Sequence, residues 1–363
     1  MGQRREGLGH IGAGGAHLDA QGALAGGQVQ AGPRGLPVPG QGVRRGEVLA
    51  YAEQARPNQF KVSELHVQYD PTGREPEAVT IHYWIGSNRK FNDSYVDLSY
   101  NLNPKGQVQP IARSAVTLRA LEAGKHVLVE KAFTMDAAEA RELAEIAVRE
   151  NRFLMEAMWT KFQPLHNEIK RLLATGRIGN LKMIESSFGL NLPFDNNQRL
   201  FNFEQGGGSA LDQGVYTHAF AHWFAGSPLK KQTSIGELFS NGADASVHSV
   251  LEYENGVLGL ALSSLVATLG FGARLVGDAG SITFEGTFWS SEAAVIDGPV
   301  DGKEHPVERI ECPRRGAGYV HMIEAVSSAI LAGKIECEQH PLNFTIEIME
   351  QLDEARRQIN GAR

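Results

Sequence analysis

The sequence has little cysteine and lacks long apolar runs. Only Cys312 and Cys337 occur among 363 residues, which excludes a disulfide framework and favours a reducing compartment. No apolar run approaches the roughly 18 residues that a membrane-spanning helix needs. Arg4 and Arg5 are not followed by the apolar stretch of a secretory signal. We therefore expect a cytoplasmic protein with no membrane partner.

The sequence also lacks a strong excess of either charge. It holds 35 Lys and Arg against 42 Asp and Glu, a formal net charge of -7. This balance argues against a general attraction to nucleic acid or anionic lipid. A chain of 363 residues is long for one ordinary core and suits two domains.

Regular apolar patterning is weak before residue 110. Residues 1–50 are dense in Gly, Gln and Arg. One glycine-rich turn, at Gly12, Gly14 and Gly15, could bind a pyrophosphate on its backbone N–H groups, but no clear apolar strand precedes it. Two interpretations are open. The region is either a divergent nucleotide-binding domain, or partly a wrong reading frame joined to a genuine remainder.

Helices and strands alternate clearly from residue 114. The pattern predicts a helix over residues 114–122, a strand over 126–130 and a second strand over 153–158. Between the strands, Asp136 and Glu139 have the spacing of a capping box at a helix start. This alternation is typical of a parallel sheet with helical crossovers. We therefore predict a Rossmann-like dinucleotide-binding domain over residues 1–155, in regular or degenerate form.

The remaining residues, 156–363, predict a different architecture. A helix begins near Pro164, consecutive strand patterns follow, and Asn255-Gly256 is a hairpin signal between two of them. Such a succession favours a large, mostly antiparallel sheet in an α+β substrate and dimerisation domain. Two helices close the chain, and the last could pack back on the first domain. The predicted strands cover residues 181–190, 233–239, 245–253, 257–266 and 273–284, and the closing helices cover residues 319–331 and 344–359.

Lys131 directly follows the first predicted strand. Ligands of open α/β sheets bind beyond the carboxyl ends of the strands, so this ammonium would stand in the crevice. There it could donate to a substrate oxygen and lower the pKa of neighbouring acids. Considered alone, a Glu-Lys pair is more often a surface feature.

The segment from Gly206 to Tyr216 holds a second group of reactive side chains. If it is helical after Ala210, Asp212 and Tyr216 share one face. The carboxylate could orient substrate hydroxyls while the phenol transfers a proton. A phenol with a pKa of about 10 needs a cationic neighbour to act as a base near neutral pH, and Lys131 is the candidate.

The chain resembles the Gfo/Idh/MocA oxidoreductase family in four segments that occur in order along the sequence. They are residues 121–131, 153–162, 178–179 and 206–216. The branch they resemble most is that of the dimeric dihydrodiol dehydrogenases and NADP-dependent D-xylose dehydrogenases. The resemblance implies an enzyme that moves a hydride between NADP, with NAD also open, and a carbinol of a sugar or trans-dihydrodiol. It further implies a homodimer formed through the sheet of the second domain.

The resemblance also assigns roles to individual residues. It implies that Glu130 and Lys131 stand beside the nicotinamide and that Tyr216 is the acid/base, assisted by Asp212. It implies a substrate pocket lined by Trp159, Lys161 and Phe162. Two positions depart from the family pattern: Lys161 replaces Arg, and Ala132 replaces a Pro, which argues against a cis peptide bond after Lys131.

Two alternatives remain beside the enzyme. The weak N-terminal pattern allows a non-catalytic family member that serves as a partner or sensor subunit without binding nucleotide, although Lys131, Asp212 and Tyr216 favour the enzyme. His218 and His222 have a spacing that could hold a metal on a helix. No third ligand is evident, so we predict packing roles and no metal site.

Overall fold

The computed structural model describes residues 48–50, 61–69, 76–84, 94–102, 108–110, 113–195, 199–203, 206–298 and 307–361. Gly12, Gly14 and Gly15, the predicted phosphate-binding turn, lie outside the described residues.

The first sheet combines parallel and antiparallel strands. Strands β4, β6 and β7 run parallel, with Ser94 opposite His126 and Val127 opposite Leu154. The parallel pairing predicted from the alternation of helix and strand is therefore confirmed here. Strands β1 to β4 pair antiparallel in order, and β5 pairs with β4; these pairings were not predicted. The strands are β1 Val48–Ala50, β2 Lys61–Tyr69, β3 Pro76–Trp84, β4 Ser94–Leu102, β5 Val108–Pro110, β6 His126–Val129 and β7 Leu154–Glu156.

Helices α1 (Arg113–Glu122) and α2 (Ala137–Glu150) connect the parallel strands. The side chain of Asp136 accepts a hydrogen bond from the Glu139 backbone N–H at 2.9 Å. The Glu139 carboxylate accepts in turn from the N–H of Met135 at 3.1 Å. The predicted helix start is thus confirmed, with the return bond one residue earlier than in the usual capping box.

Within the described ranges, the second sheet has nine strands and one parallel pair, β8 with β11. The predicted mostly antiparallel sheet is confirmed. The single strand expected over residues 273–284 is two strands, because Gly277–Gly280 closes a hairpin. The short strands β15 and β16 were not predicted. The strands are β8 Leu181–Asn191, β9 Leu229–Leu238, β10 Asp244–Tyr253, β11 Leu258–Ser264, β12 Val266–Gly270, β13 Ala273–Gly277, β14 Ser281–Phe284, β15 Ala293–Asp297 and β16 Glu308–Glu311.

The helices of the described residues pack on one face of this sheet and leave the other, the open face, without a described helix. Helix α4 packs on β8 and β11, while α6 packs on β9 and on α2. Buried apolar side chains such as Ile184, Val247 and Ala261 fill the covered face. None of the helices in the described ranges is long and apolar enough to cross a membrane. The helices are α3 Pro164–Ala174, α4 Val215–Ala225, α5 Tyr319–Leu331 and α6 Leu342–Gly361.

Candidate active site

Lys131 leaves the carboxyl end of β6 and meets a residue 81 positions later in the sequence. Its Nζ donates to the backbone oxygen of Asp212 at 2.7 Å and lies 3.5 Å from Oδ1 of the same residue. The Lys131 side chain is 18% exposed, so the ammonium is shielded but reachable. The Lys131–Ala132 peptide bond is cis, so the expectation drawn from Ala132 was wrong.

Asp212 lies in a π-helical turn, Ala210–Gly214, that continues into α4. Its Oδ1 also accepts from Arg199 Nη2 at 3.2 Å. Burial acts to raise the pKa of Asp212, but the charges of Lys131 and Arg199 outweigh it and the pKa is lowered. The residue is therefore a carboxylate at neutral pH. Arg199 was missed because it stands in a segment without a motif.

Tyr216 occupies the first turn of α4 and is 9% exposed. Its phenol oxygen accepts from Trp159 Nε1 at 3.2 Å, and Lys131 Nζ lies 4.9 Å from the centre of its ring. Burial raises the pKa of the phenol, the Trp159 bond lowers it in part, and the charge of Glu130 raises it further. The expectation that Lys131 would acidify Tyr216 is not met, because burial has the largest effect on the pKa of the phenol.

Aromatic rings from four separate elements surround the phenol. Trp159 stacks on Tyr319 at 4.5 Å between ring centres. Phe188 and Trp289 lie 6.0 and 5.9 Å from the Tyr216 ring and stack on each other at 4.1 Å between ring centres. Together these four rings form an apolar lining around the Tyr216 hydroxyl. Only Trp159 was predicted, since the other rings come from elements that share no motif.

The structure does not bring Lys161 to this cluster. Residues Trp159–Phe162 form a 3₁₀ turn, in which neighbouring side chains point in different directions. Lys161 Nζ lies 3.5 Å from the centre of the Phe344 ring, and burial, with the nearby charge of Lys170, lowers the Lys161 pKa to about 7. Phe162 is 4% exposed and belongs to the apolar core.

His218 and His222 make separate hydrogen bonds. His218 contacts the backbone oxygen of Gly214 and the hydroxyl of Ser249, at 2.9 and 3.1 Å. His222 Nε2 lies 2.7 Å from the carboxylate of Glu347. Within the described ranges, no group of three or more His, Cys, Asp or Glu residues could hold a metal ion.

Both parts of the chain match families of known proteins. Residues 107–158 match the oxidoreductase family with an NAD-binding Rossmann fold, and residues 166–283 match the Gfo/Idh/MocA C-terminal domain. The trans-1,2-dihydrobenzene-1,2-diol dehydrogenase of Xenopus laevis is 32% identical over 257 residues, covering 70% of this chain and 77% of that protein. The D-xylose 1-dehydrogenase (NADP(+)) of Hypocrea jecorina is 31% identical, covering 67% and 68% respectively.

Solved structures share the fold at lower identity. An aldose-aldose oxidoreductase from Caulobacter crescentus, complexed with glycerol, superposes with a TM-score of 0.62 at 20% identity, covering 70% of this chain and 76% of that chain. A 3-ketoreductase from Actinomadura kijaniata, in complex with NADP and TDP-benzene, gives 0.59 at 22%, covering 68% and 75%. Because both domain families match and the chain is 32% identical to the Xenopus laevis diol dehydrogenase, the chain belongs to the Gfo/Idh/MocA oxidoreductase family.

Proposed function

We propose that this oxidoreductase moves a hydride between NADP and a carbinol carbon of a sugar or trans-dihydrodiol, in a reducing cytoplasm. One observation carries the proposal. Lys131, Asp212 and Tyr216 come from two distant motifs and meet at the carboxyl edge of the parallel strands, where ligands of such sheets bind. The names of the two relatives, a diol dehydrogenase and an NADP-dependent xylose dehydrogenase, support this substrate class and cofactor.

The residues at this edge suit the nicotinamide end of the cofactor. Glu130 and Lys131 directly follow β6, and the Lys131 side chain is partly exposed, so a bound nicotinamide could reach it. Bound NADP would supply the hydride acceptor, or in the reverse direction the donor. The pyrophosphate would lie on the predicted turn at Gly12, Gly14 and Gly15, and NAD remains open as a second cofactor.

Lys131, Asp212 and Tyr216 would each have a separate role in binding the substrate and transferring its proton. The Lys131 ammonium can donate to the substrate oxygen and stabilise the charge that develops on it. Both cations of the site contact Oδ1 of Asp212, so Oδ2 can accept from a neighbouring substrate hydroxyl. Because burial raises the pKa of Tyr216, its phenol holds a proton at neutral pH. It can donate that proton to a carbonyl oxygen during reduction. In the oxidative direction the phenolate, which is the minor form at neutral pH, accepts the proton of the substrate hydroxyl.

The aromatic lining favours substrates with a flat or apolar carbon face. Trp159, Tyr319, Phe188 and Trp289 enclose the phenol, so a ring that stacks on them would be desolvated while its hydroxyls reach the polar group. A dihydrodiol ring and the C–H face of an aldopyranose both meet this description.

Cofactor binding tests the proposal first. The purified chain should bind NADPH more tightly than NADH, as followed by nucleotide fluorescence, and should reduce NADP⁺ with trans-1,2-dihydrobenzene-1,2-diol or D-xylose, as followed by absorbance. Replacing Gly14 by Glu should abolish binding, because a carboxylate would repel the pyrophosphate. If the folded chain binds neither nucleotide, the non-catalytic alternative is correct.

We further propose that the chain forms a homodimer through the open face of the second sheet. Ile235, Val250 and Leu258 lie on this face and are 70%, 42% and 43% exposed. The strand register places them on one side, since His248 opposes Ile235 and Glu252 opposes Leu258. An exposed apolar strip on adjacent strands is typical of an association surface.

Sedimentation equilibrium tests the dimer. Wild-type chain should sediment at twice the monomer mass, and the double variant Ile235→Glu, Val250→Glu should be monomeric, because two buried carboxylates per protomer cost more than the interface gains. Val148→Glu is the matched control, since Val148 is 60% exposed on α2; it should remain dimeric. A monomeric wild type, or a dimeric double variant, contradicts the proposal.

A further inference from the structure

We infer that Glu156 is a positioning residue for Lys131, and that the length of its side chain sets where the Lys131 ammonium lies. The inference rests on the proposed function, because it assigns Lys131 to the substrate oxygen. Glu156 ends β7, the strand beside β6, and is 1% exposed. It lies within the segment 153–162 that carries the family resemblance, but that resemblance implied no role for it.

The Glu156 carboxylate binds the turn that carries Lys131. Its Oε1 accepts from the backbone N–H of Phe133 at 3.1 Å. Phe133 is two residues beyond Lys131, so this bond joins the reactive turn to the adjacent strand. No water replaces a buried hydrogen bond of this kind, so losing it leaves the N–H without a partner. Lys131 can make its 2.7 Å bond to the Asp212 backbone oxygen only while the turn keeps this position.

The second carboxylate oxygen is held by other buried groups. Glu156 Oε2 accepts from the Thr345 hydroxyl at 3.3 Å and lies 3.4 Å from His340 Nε2. Thr345 Oγ1 and His340 Nε2 are 3.0 Å apart. Thr345 belongs to α6. The carboxylate therefore cannot move away from Phe133 without breaking its bond to Thr345 of the last helix.

Lys161 contributes the opposing charge in this buried region. The charge of Glu156 acts to keep Lys161 protonated, against the stronger effect of burial. An isolated buried carboxylate is very costly, so a nearby buried ammonium reduces that cost. Lys161, expected in the substrate pocket, thus interacts with the charge of Glu156 instead.

The far end of the same turn is also held by α6. Arg356 Nη2 donates to the backbone oxygen of Met135 at 2.6 Å, and Asp353 Oδ2 accepts from the N–H of Ala137 at 2.8 Å. Glu156 fixes the turn near Lys131, while this pair fixes it at the start of α2. The position of the ammonium then depends on Glu156 more than on α6, because Phe133 is closer to Lys131 than Met135 is.

Two variants separate side-chain length from charge. Glu156→Asp keeps the charge but withdraws the carboxylate by one methylene, and Glu156→Gln keeps the length but removes the charge. A positioning role predicts that Glu156→Asp is impaired and Glu156→Gln is close to wild type. A purely electrostatic or packing role predicts that Glu156→Gln is the more damaged variant.

Chemical labelling of Lys131 reports its position without any substrate. Acetic anhydride is applied to the full-length chain, and mass spectrometry gives the modification of Lys131 relative to Lys182, whose side chain is 59% exposed. Glu156→Asp should raise Lys131 labelling about tenfold, as expected when a buried hydrogen bond of about 1.5 kcal/mol is lost. Hydrogen exchange at the Phe133 N–H should accelerate in the same variant.

Turnover provides the second comparison. Glu156→Asp should lower kcat by up to about 10²-fold with KM for substrate little changed, because a small displacement of a reacting group is costly. Labelling and exchange equal to wild type in a folded Glu156→Asp chain would overturn the inference, as would a Glu156→Gln chain more impaired than Glu156→Asp. If labelling changes as expected but wild type shows no dehydrogenase activity, the positioning role stands and the proposed function fails.

Discussion

Replacing Lys131 by Met should lower kcat/KM by about 10²–10³-fold, the usual effect of removing a donor aimed at a developing oxyanion. Met has a similar length and fills the space, but it cannot donate to the substrate oxygen. The variant also loses the 2.7 Å bond to the Asp212 backbone oxygen and the ion pair with its side chain. The Asp212 carboxylate then keeps only Arg199 as a cationic partner, and its pKa should rise toward the ordinary value. Steady-state rates in both directions, with nucleotide binding measured separately, give the result.

A second lysine provides the control for this experiment. Lys182 is exposed and pairs with Asp278 at 3.6 Å, so Lys182→Met should leave turnover within about twofold, as expected for an exposed pair. Lys131→Arg retains a positive charge but changes its geometry, and it should recover only part of the activity. Near-normal kcat/KM in a folded Lys131→Met chain would remove Lys131 from the reaction.

Much of the fold after residue 114 could be predicted because its signals are local. Apolar residues at helical spacing, together with Asp136 and Glu139 at a helix start, indicate where α2 begins. The two-strand hairpin at Gly277–Gly280 was missed because it interrupts an otherwise continuous strand pattern. Before residue 110 the sequence offered isolated apolar runs, and their antiparallel pairing depends on contacts between strands that no local pattern encodes.

The site shows a similar division between local and distant information. The resemblance selected Lys131, Asp212, Tyr216 and Trp159, and the structure brings these four together. It also suggested Lys161, but one turn of 3₁₀ helix directs that side chain elsewhere. The sign of the Tyr216 pKa shift could not be predicted either, since burial is a tertiary property.

Tyr216→Phe should lower kcat by about 10²–10⁴-fold, the contribution expected of a positioned general acid or base. The ring stays in its aromatic surroundings, so KM for substrate should change little. The substitution also leaves the Trp159 indole N–H without the oxygen that now accepts from it at 3.2 Å, which costs about 1–3 kcal/mol in a buried setting. A modest fall in thermal stability should therefore accompany the loss of turnover.

Trp159→Phe separates these two effects. This variant removes the indole N–H and keeps the phenol, so a much smaller loss of kcat than in Tyr216→Phe shows that the phenol acts on the substrate itself. A loss as large as that of Tyr216→Phe would instead assign the effect to the hydrogen bond between them. A folded Tyr216→Phe chain with near-normal turnover would exclude Tyr216 as the acid/base.

The pH dependence gives an independent test of the same role. Because burial raises the pKa of Tyr216, the phenol remains protonated through neutral pH and above. In wild type, the titration of Tyr216 should leave the rate of carbonyl reduction constant through neutral pH. The rate of oxidation should increase as pH rises, because more phenolate is then available to accept the substrate proton. In Tyr216→Phe the rise in oxidation rate should disappear, because no phenol titrates. A rise of equal slope in both proteins would assign the titration to another group.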